Sequence, residues 1–101
     1  MLGEKLKELR EAKGLVQRQV AAALEVDTAY VSKMESNEKP VSRTHLKRLS
    51  DLLNISNEKL LTLWLADKVY DMVKDEDVAL NALIATQQEL KTNMKIKKGK
   101  K

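Results

Sequence analysis

The stretch from 17 to 37 constrains the fold most, because it contains two short helical patterns separated by a tight turn at 24–27. Apolar residues recur at helical spacing and form the inner faces of both helices: Val20, Ala21, Leu24, Val31 and Met34. The second helix leaves small or hydrogen-bonding side chains outside: Thr28, Ala29, Ser32 and Lys33. The major groove of DNA admits one α-helix. The pattern favours a DNA-reading helix, and the alternative is an ordinary piece of helical core.

Composition favours a small all-α protein. The chain has 101 residues, 43% of them hydrophobic and 34% charged, with three glycines and one proline. Because cysteine is absent, disulfides and cysteine-ligated metals are excluded. Charges interrupt the apolar residues near Met1, and the most apolar stretch, 60–66, is too short to span a bilayer. We therefore expect no signal peptide, a cytoplasmic location and no membrane contact.

The charge distribution separates the end of the chain from its body. The net charge is +4 at a pI near 9.3, which leans towards a polyanionic partner. Six lysines lie between 91 and 101, so the body is close to neutral. The lysines either attract phosphates or only keep the chain soluble, and we expect a disordered tail at 94–101. The predicted domains are 1–66, a helical extension at 67–93, and this tail.

Helical spacing and terminators together predict six helices. Gly14 and Asn37 are residues that commonly end helices, whereas Asp27 and Ser56 are good helix caps. Pro40 cannot continue a helix and predicts a loop. The predicted helices span about 2–13, 17–24, 28–36, 43–53, 57–73 and 76–93.

Residues 4 to 66 resemble the Cro/repressor-type helix-turn-helix transcriptional regulators, a xenobiotic-response-element-like and lambda-repressor-like family. The stretches that carry the resemblance are LKELREAKGL, VQRQVAAALEV, DTAYVSKMESNEKP and LKRLSDLLNIS. It implies an all-α, lambda-repressor-like five-helix DNA-binding domain with an additional C-terminal helix. Two positions depart from the family pattern: Glu25 replaces the usual glycine of the turn, and Val16 replaces a Ser or Thr cap. Among small family members, a restriction–modification controller is the favoured subtype.

The resemblance also implies where DNA would be contacted. The base-contacting positions are Thr28, Ala29, Ser32 and Lys33. The phosphate-contacting positions implied by the family are Gln17, Tyr30, Asn37, Lys39 and Arg43. Arg18 joins them because it lies beside Gln17. The resemblance further implies an ion pair between Arg10 and Glu35, which we expect to be structural.

The helix predicted at 57–73 has an apolar set too broad for one buried face. Trp64 is its most distinctive residue, and its ring fits either the core of this subunit or a dimer interface, where tryptophan is enriched. Both roles remain open at this point. We expect dimerisation through the last two helices. The residues predicted for the interface are Leu61, Trp64, Leu65, Val69 and Leu83.

No arrangement typical of an enzyme or a metal site is evident. His45 is the only histidine, and no nucleophile–base pair or glycine-rich phosphate loop accompanies it. We therefore expect no cofactor and no catalysis. The expected function is sequence-specific binding of double-stranded DNA by a homodimer, with helix 28–36 in the major groove of a near-palindromic operator. The alternative is a protein-interaction module that binds another protein, such as a toxin or sigma factor, through the apolar helices at 57–90.

Overall fold

The computed structural model describes the backbone of residues 1–99 and the side chains of residues 1–94. Within this part it contains helices and no strands, which confirms the all-α prediction. The elements are α1 Leu2–Ala12, α2 Gln17–Leu24, α3 Thr28–Glu35, a 3₁₀ turn Arg43–His45, α4 Leu46–Leu53, α5 Asn57–Val73 and α6 Ala79–Gly99. No helix in the described residues is long and apolar enough to cross a membrane.

Helices α1 and α3 each end one residue earlier than predicted, and two other helices differ by more. The helix expected at 43–53 begins with a 3₁₀ turn, in which the backbone N–H of His45 bonds the carbonyl of Ser42 at 3.0 Å. Helix α6 starts at Ala79 and continues through Gly99, so 94–99 is helical where we expected disorder. Lysine is a good helix former and no breaker precedes Gly99, which explains this extension. Residues 100 and 101 lie outside the described part.

The chain divides into two compact units, Met1–Val69 and the residues from Tyr70 onward. The first unit contains the core, in which the inner faces of α1 to α4 meet the start of α5. Its buried apolar residues are Leu2, Leu6, Val20, Ala21, Leu24, Val31, Met34, Val41, Leu46, Leu49, Leu53 and Leu60. Because the inner residues of α2 and α3 belong to this core, their outer faces are held at a fixed orientation by packing.

The turn between α2 and α3 accommodates the unusual Glu25. Its backbone is left-handed, with φ of 59°, a conformation that costs a non-glycine residue roughly 1 kcal/mol. Arg48 of α4 spans this turn and donates from Nη1 to the carbonyl of Ala23 at 3.0 Å and to Glu25 Oε2 at 2.9 Å. The Glu25 side chain therefore gains a partner that a glycine would lack, which offsets part of the backbone cost.

The weak cap of α2 is also compensated. Val16 has no side-chain acceptor, but its own backbone N–H donates to Gln19 Oε1 at 2.8 Å. Helix α3 starts as predicted, because Asp27 Oδ1 accepts from the backbone N–H of Tyr30 at 2.8 Å. Both helices of the pair thus have a defined first residue.

Candidate nucleic-acid interface

Helix α3 presents a polar outer face above a buried inner face. Val31 and Met34 are each 1% exposed, which anchors the helix in the core. The four residues predicted to contact bases are all on the exposed side: Thr28, Ala29, Ser32 and Lys33. Within residues 1–94, the structure assigns their side chains no hydrogen bond or ion pair, so their donors and acceptors face solvent. This face is free to contact the edges of bases.

A buried carboxylate joins three elements at the end of α3. Glu35 Oε2 accepts from Arg10 Nε at 2.7 Å, and its Oε1 accepts from Arg10 Nη2 at 3.1 Å. Arg10 Nη1 also donates to the carbonyl of Leu15 at 2.8 Å. These hydrogen bonds to Glu35 raise the pKa of Arg10, although burial acts in the opposite direction. The pair ties α1 and the segment before α2 to α3.

Gln17 is linked to the same carboxylate, which the sequence did not indicate. Its Nε2 donates to Glu35 Oε1 at 3.0 Å, and the side chain is half-buried. The bond leaves the second N–H of the amide for another acceptor. Glu35 thereby orients the residue predicted to contact a phosphate, in addition to pairing with Arg10. The sequence offered one signal for a buried Glu35, its position one helical turn after the buried Val31. It offered none for the bond from Gln17 to Glu35, because that bond depends on how α2 packs against α3.

Two of the residues predicted to contact phosphates, Asn37 and Tyr30, form hydrogen bonds to other residues of the chain. Asn37, with φ of 65°, accepts at Oδ1 from the backbone N–H of Gly3 at 3.2 Å and donates from Nδ2 to Glu4 Oε1 at 2.7 Å. Tyr30 donates its hydroxyl proton to the carbonyl of Pro40 at 3.2 Å. Phosphate oxygens only accept, so Tyr30 would have to give up its bond to Pro40 in order to donate to one. The second N–H of the Asn37 amide is left for another acceptor, as it is in Gln17. The phosphate-contacting role of Asn37 and Tyr30 stays a prediction.

Three basic positions predicted to contact phosphates are exposed: Arg18, Lys39 and Arg43. They lie on three different segments, namely α2, the loop after α3 and the 3₁₀ turn. The loop with Lys39 and the turn with Arg43 directly follow α3 in sequence, and the phosphate-contacting role of all three residues stays a prediction.

Trp64 anchors the loop that follows α3, a role that sequence reasoning left between core and interface. Its Nε1 donates to the carbonyl of Val41 at 2.6 Å. The Arg43 guanidinium carbon lies 5.5 Å from the ring centroid, and Lys68 Nζ lies 4.4 Å from it. The indole N–H of a buried or half-buried tryptophan usually forms a hydrogen bond, so the sequence indicated that Trp64 would have an acceptor but not which one. The ring therefore helps to hold Arg43, a predicted phosphate contact.

The five residues predicted for a dimer interface divide into two groups. Leu61 and Trp64 are half-buried and pack against the core of the first unit. Leu65, Val69 and Leu83 are exposed. Only the second group is available to a partner without rearrangement.

Comparison with known proteins identifies the family of this chain. A family model described as a helix-turn-helix domain matches residues 1–63. No curated protein matches the chain. Among solved structures, a chain of a SinR protein/SinI protein complex is similar, with 22% identity and a TM-score of 0.54, over 91% of this chain and 99% of that chain. At this identity the likeness shows the fold alone, which is lambda-repressor-like. Since the family model covers more than half of the chain, the protein belongs to the helix-turn-helix domain family of DNA-binding transcriptional regulators.

Proposed function

We propose that this regulator binds a specific sequence in double-stranded DNA as a homodimer, with α3 of each copy in a major groove. The observation that carries the proposal is the outer face of α3, where exposed Thr28, Ser32 and Lys33 stand above a fully packed inner face. Packing of the inner face fixes the position of α3, so these side chains extend from defined backbone positions, which direct reading of base edges requires.

Residues on α3 would contact bases, and residues around it would contact phosphates. Lys33 is suited to donate to guanine O6 or N7, and Ala29 and the methyl of Thr28 offer apolar contact to a thymine methyl. Gln17, positioned by Glu35, and the exposed Arg18, Lys39 and Arg43 would contact phosphates and set the register on the duplex. A dimer would place two α3 helices about 34 Å apart, matching half-sites of a near-palindromic operator.

The test is selection of bound duplexes from a random pool, followed by titration of the selected site with variants. Lys33→Ala should weaken binding by about 1–3 kcal/mol and relax the preference at one base pair. Lys7→Ala is the matched control, because it removes the same charge from an exposed position of α1. Equal losses in the two variants, without a change in preference, would remove Lys33 from the base-reading set. Absence of any selected sequence would contradict the function.

A second candidate is binding of another protein, favoured by exposed apolar side chains that the DNA proposal does not use. Tyr70 and Met72 at the end of α5 are both exposed. The similar solved chain comes from a complex of two proteins, SinR and SinI. A band shift discriminates between the candidates, since an interaction module would give no salt-sensitive, sequence-preferring complex with duplex DNA.

A further inference from the structure

Two cationic side chains from different segments meet at the ring of Trp64. Lys68 Nζ lies 4.4 Å from the ring centroid, and the guanidinium carbon of Arg43 lies 5.5 Å from it. Both distances are within the range of about 6 Å over which an aromatic ring attracts a cation, and tryptophan attracts cations most strongly. Arg43 belongs to the 3₁₀ turn, whereas Lys68 lies one helical turn after Trp64 on α5. The ring therefore holds together two positive charges that are far apart in the sequence.

No carboxylate among the described residues neutralises these two charges. Within residues 1–94, neither Arg43 nor Lys68 forms an ion pair. Asp67 accepts instead from the backbone N–H of Leu2 at 2.8 Å, and Asp71 pairs with the lysine three residues after it at 3.7 Å. An arginine that stacks on a ring keeps the N–H groups along its edge for acceptors, and a lysine keeps its ammonium donors. Two neighbouring positive charges without a counter-charge attract an anion.

The two cations lie next to the loop that α3 contacts. Trp64 Nε1 donates to the carbonyl of Val41 at 2.6 Å, and Tyr30 of α3 donates its hydroxyl proton to the carbonyl of Pro40 at 3.2 Å. Helix α3 and the Trp64 ring thus contact adjacent residues of one loop, and Arg43 follows them directly in the 3₁₀ turn. The major groove is about 12 Å wide and is filled by a helix with its side chains, so the phosphates that border it lie beside the segments flanking that helix.

We propose that Lys68 is a further DNA-contacting residue, which binds the phosphate backbone together with Arg43, and that Trp64 is the positioning residue for both cations. The inference deepens the proposed function, on which it rests, by extending the DNA-contacting surface to α5. Arg43 supplies a planar fork suited to two phosphate oxygens, and Lys68 supplies a point charge. Because the ring restrains two flexible side chains before DNA arrives, less conformational freedom is lost on binding.

The salt dependence of binding to the selected duplex tests the role of Lys68. Lys68→Gln should weaken binding about five- to tenfold near physiological salt, and should lower the slope of log affinity against log salt by about 0.9, the value of one phosphate contact. The loss should be the same at the selected site and at a random duplex, because phosphates carry no sequence information.

Lys59→Gln is the matched control, since it removes the same charge from another exposed position of α5. It should leave the slope unchanged and alter the affinity less than about twofold, because a distant exposed charge is screened by salt. Equal slopes for Lys68→Gln and Lys59→Gln would overturn the role of Lys68.

A double-mutant cycle tests whether Trp64 acts through the two cations. Trp64→Phe keeps an apolar ring but attracts cations less strongly and lacks the indole N–H. In the natural chain this change should weaken DNA binding about threefold. In a chain that already carries Arg43→Gln and Lys68→Gln, it should have no further effect. A merely structural role of Trp64 would give the same loss in both backgrounds, and that result would overturn the positioning role.

Fluorescence of the natural chain gives a measurement that needs no change at Trp64. Trp64 is the only tryptophan, so its emission reports this site alone. Indole emission depends on the charges beside the ring, and a phosphate that binds Arg43 and Lys68 changes them. We expect the emission to shift on titration with the selected duplex, and to shift much less in Lys68→Gln at saturating DNA. Unchanged emission of the natural chain at saturation would overturn the proposal.

Failure of this inference is distinguishable from failure of the proposed function. If the natural chain selects a DNA sequence while Lys68→Gln and Lys59→Gln give the same slope, the function stands and Lys68 is not a phosphate contact. If no duplex is selected, the proposed function falls and this inference falls with it.

Discussion

The two units of this protein differ in the solvent exposure of their apolar residues. In the first unit, Met1–Val69, the inner faces of the helices are buried, and Leu60 is fully inaccessible to solvent. In the second unit, α6 leaves large apolar side chains in solvent, and Leu80 is 75% exposed. Burial of apolar surface is the main favourable term in folding. The first unit is therefore stabilised by its own core, whereas α6 gains little of this stabilisation from its exposed apolar side chains.

The largest effect is expected from the buried ion pair of the first unit. Glu35→Ala should lower the free energy of unfolding by about 3–5 kcal/mol, because it leaves the Arg10 guanidinium buried without its carboxylate. The measurement is the midpoint of urea denaturation followed by circular dichroism. Asp51→Ala, which breaks the exposed pair with Lys47, is the control and should cost at most about 1 kcal/mol. Similar costs for both variants would show that the buried pair does not stabilise the first unit.

A pair of leucine truncations tests the comparison most directly. Leu60→Ala should destabilise the protein by about 2–5 kcal/mol, since it removes buried methyl groups and leaves a cavity. Leu80→Ala should change the unfolding free energy of the dilute monomer by less than about 0.5 kcal/mol. Urea denaturation at low protein concentration measures both. A large loss in Leu80→Ala under these conditions would mean that α6 contributes to the stability of the single chain.

The close approach of α1 to the end of α3 predicts a smaller effect. A Cβ at Gly3 would clash with Asn37 Oδ1 and lie 2.5 Å from the carbonyl oxygen of Met34, so Gly3→Ala should cost about 1–3 kcal/mol. Gly14→Ala is the comparison, because a Cβ there meets nothing within 4 Å and only the positive φ opposes it, at roughly 1 kcal/mol. Thermal denaturation ranks the two, and a costlier Gly14→Ala would contradict the close contact.

The smallest expected effect is a loss of stability at acidic pH. The hydrogen bond from Asn37, together with a backbone hydrogen bond and the N-terminal ammonium group, lowers the pKa of Glu4 from 4.5 to about 2. A carboxylate with a depressed folded-state pKa contributes stability that is present above the unfolded value and is lost as the pH falls through the folded value. The Glu4 contribution should therefore fade between about pH 4.5 and 2. NMR titration of the Glu4 carboxyl measures the pKa, and Asn37→Ala should return it towards 4.5. An unshifted value in the natural chain would exclude the bond.

The elements with strong periodic patterns were predictable, but several contacts were not. The bounds of α2 and α5 agree with the sequence prediction, and α3 differs only at its last residue. The bond from Gln17 to Glu35 was missed, as was the bond from Asn37 to Gly3. Each joins residues far apart in sequence through one side-chain rotamer, and helical spacing carries no information about that choice.

The sequence by itself determined the helical class, the helix-turn-helix pair and the outer face of α3, because these follow from apolar spacing and cap residues. Only the tertiary structure decided how the side chains around that face are used. It placed the Trp64 N–H on the carbonyl of Val41 and turned Asn37 towards α1. Each of these bonds depends on which segments meet when the core packs, and that is set by the whole of the first unit. For the stretch from 17 to 37, apolar spacing defined the exposed face, and packing of the core decided which hydrogen bonds the side chains beside it form.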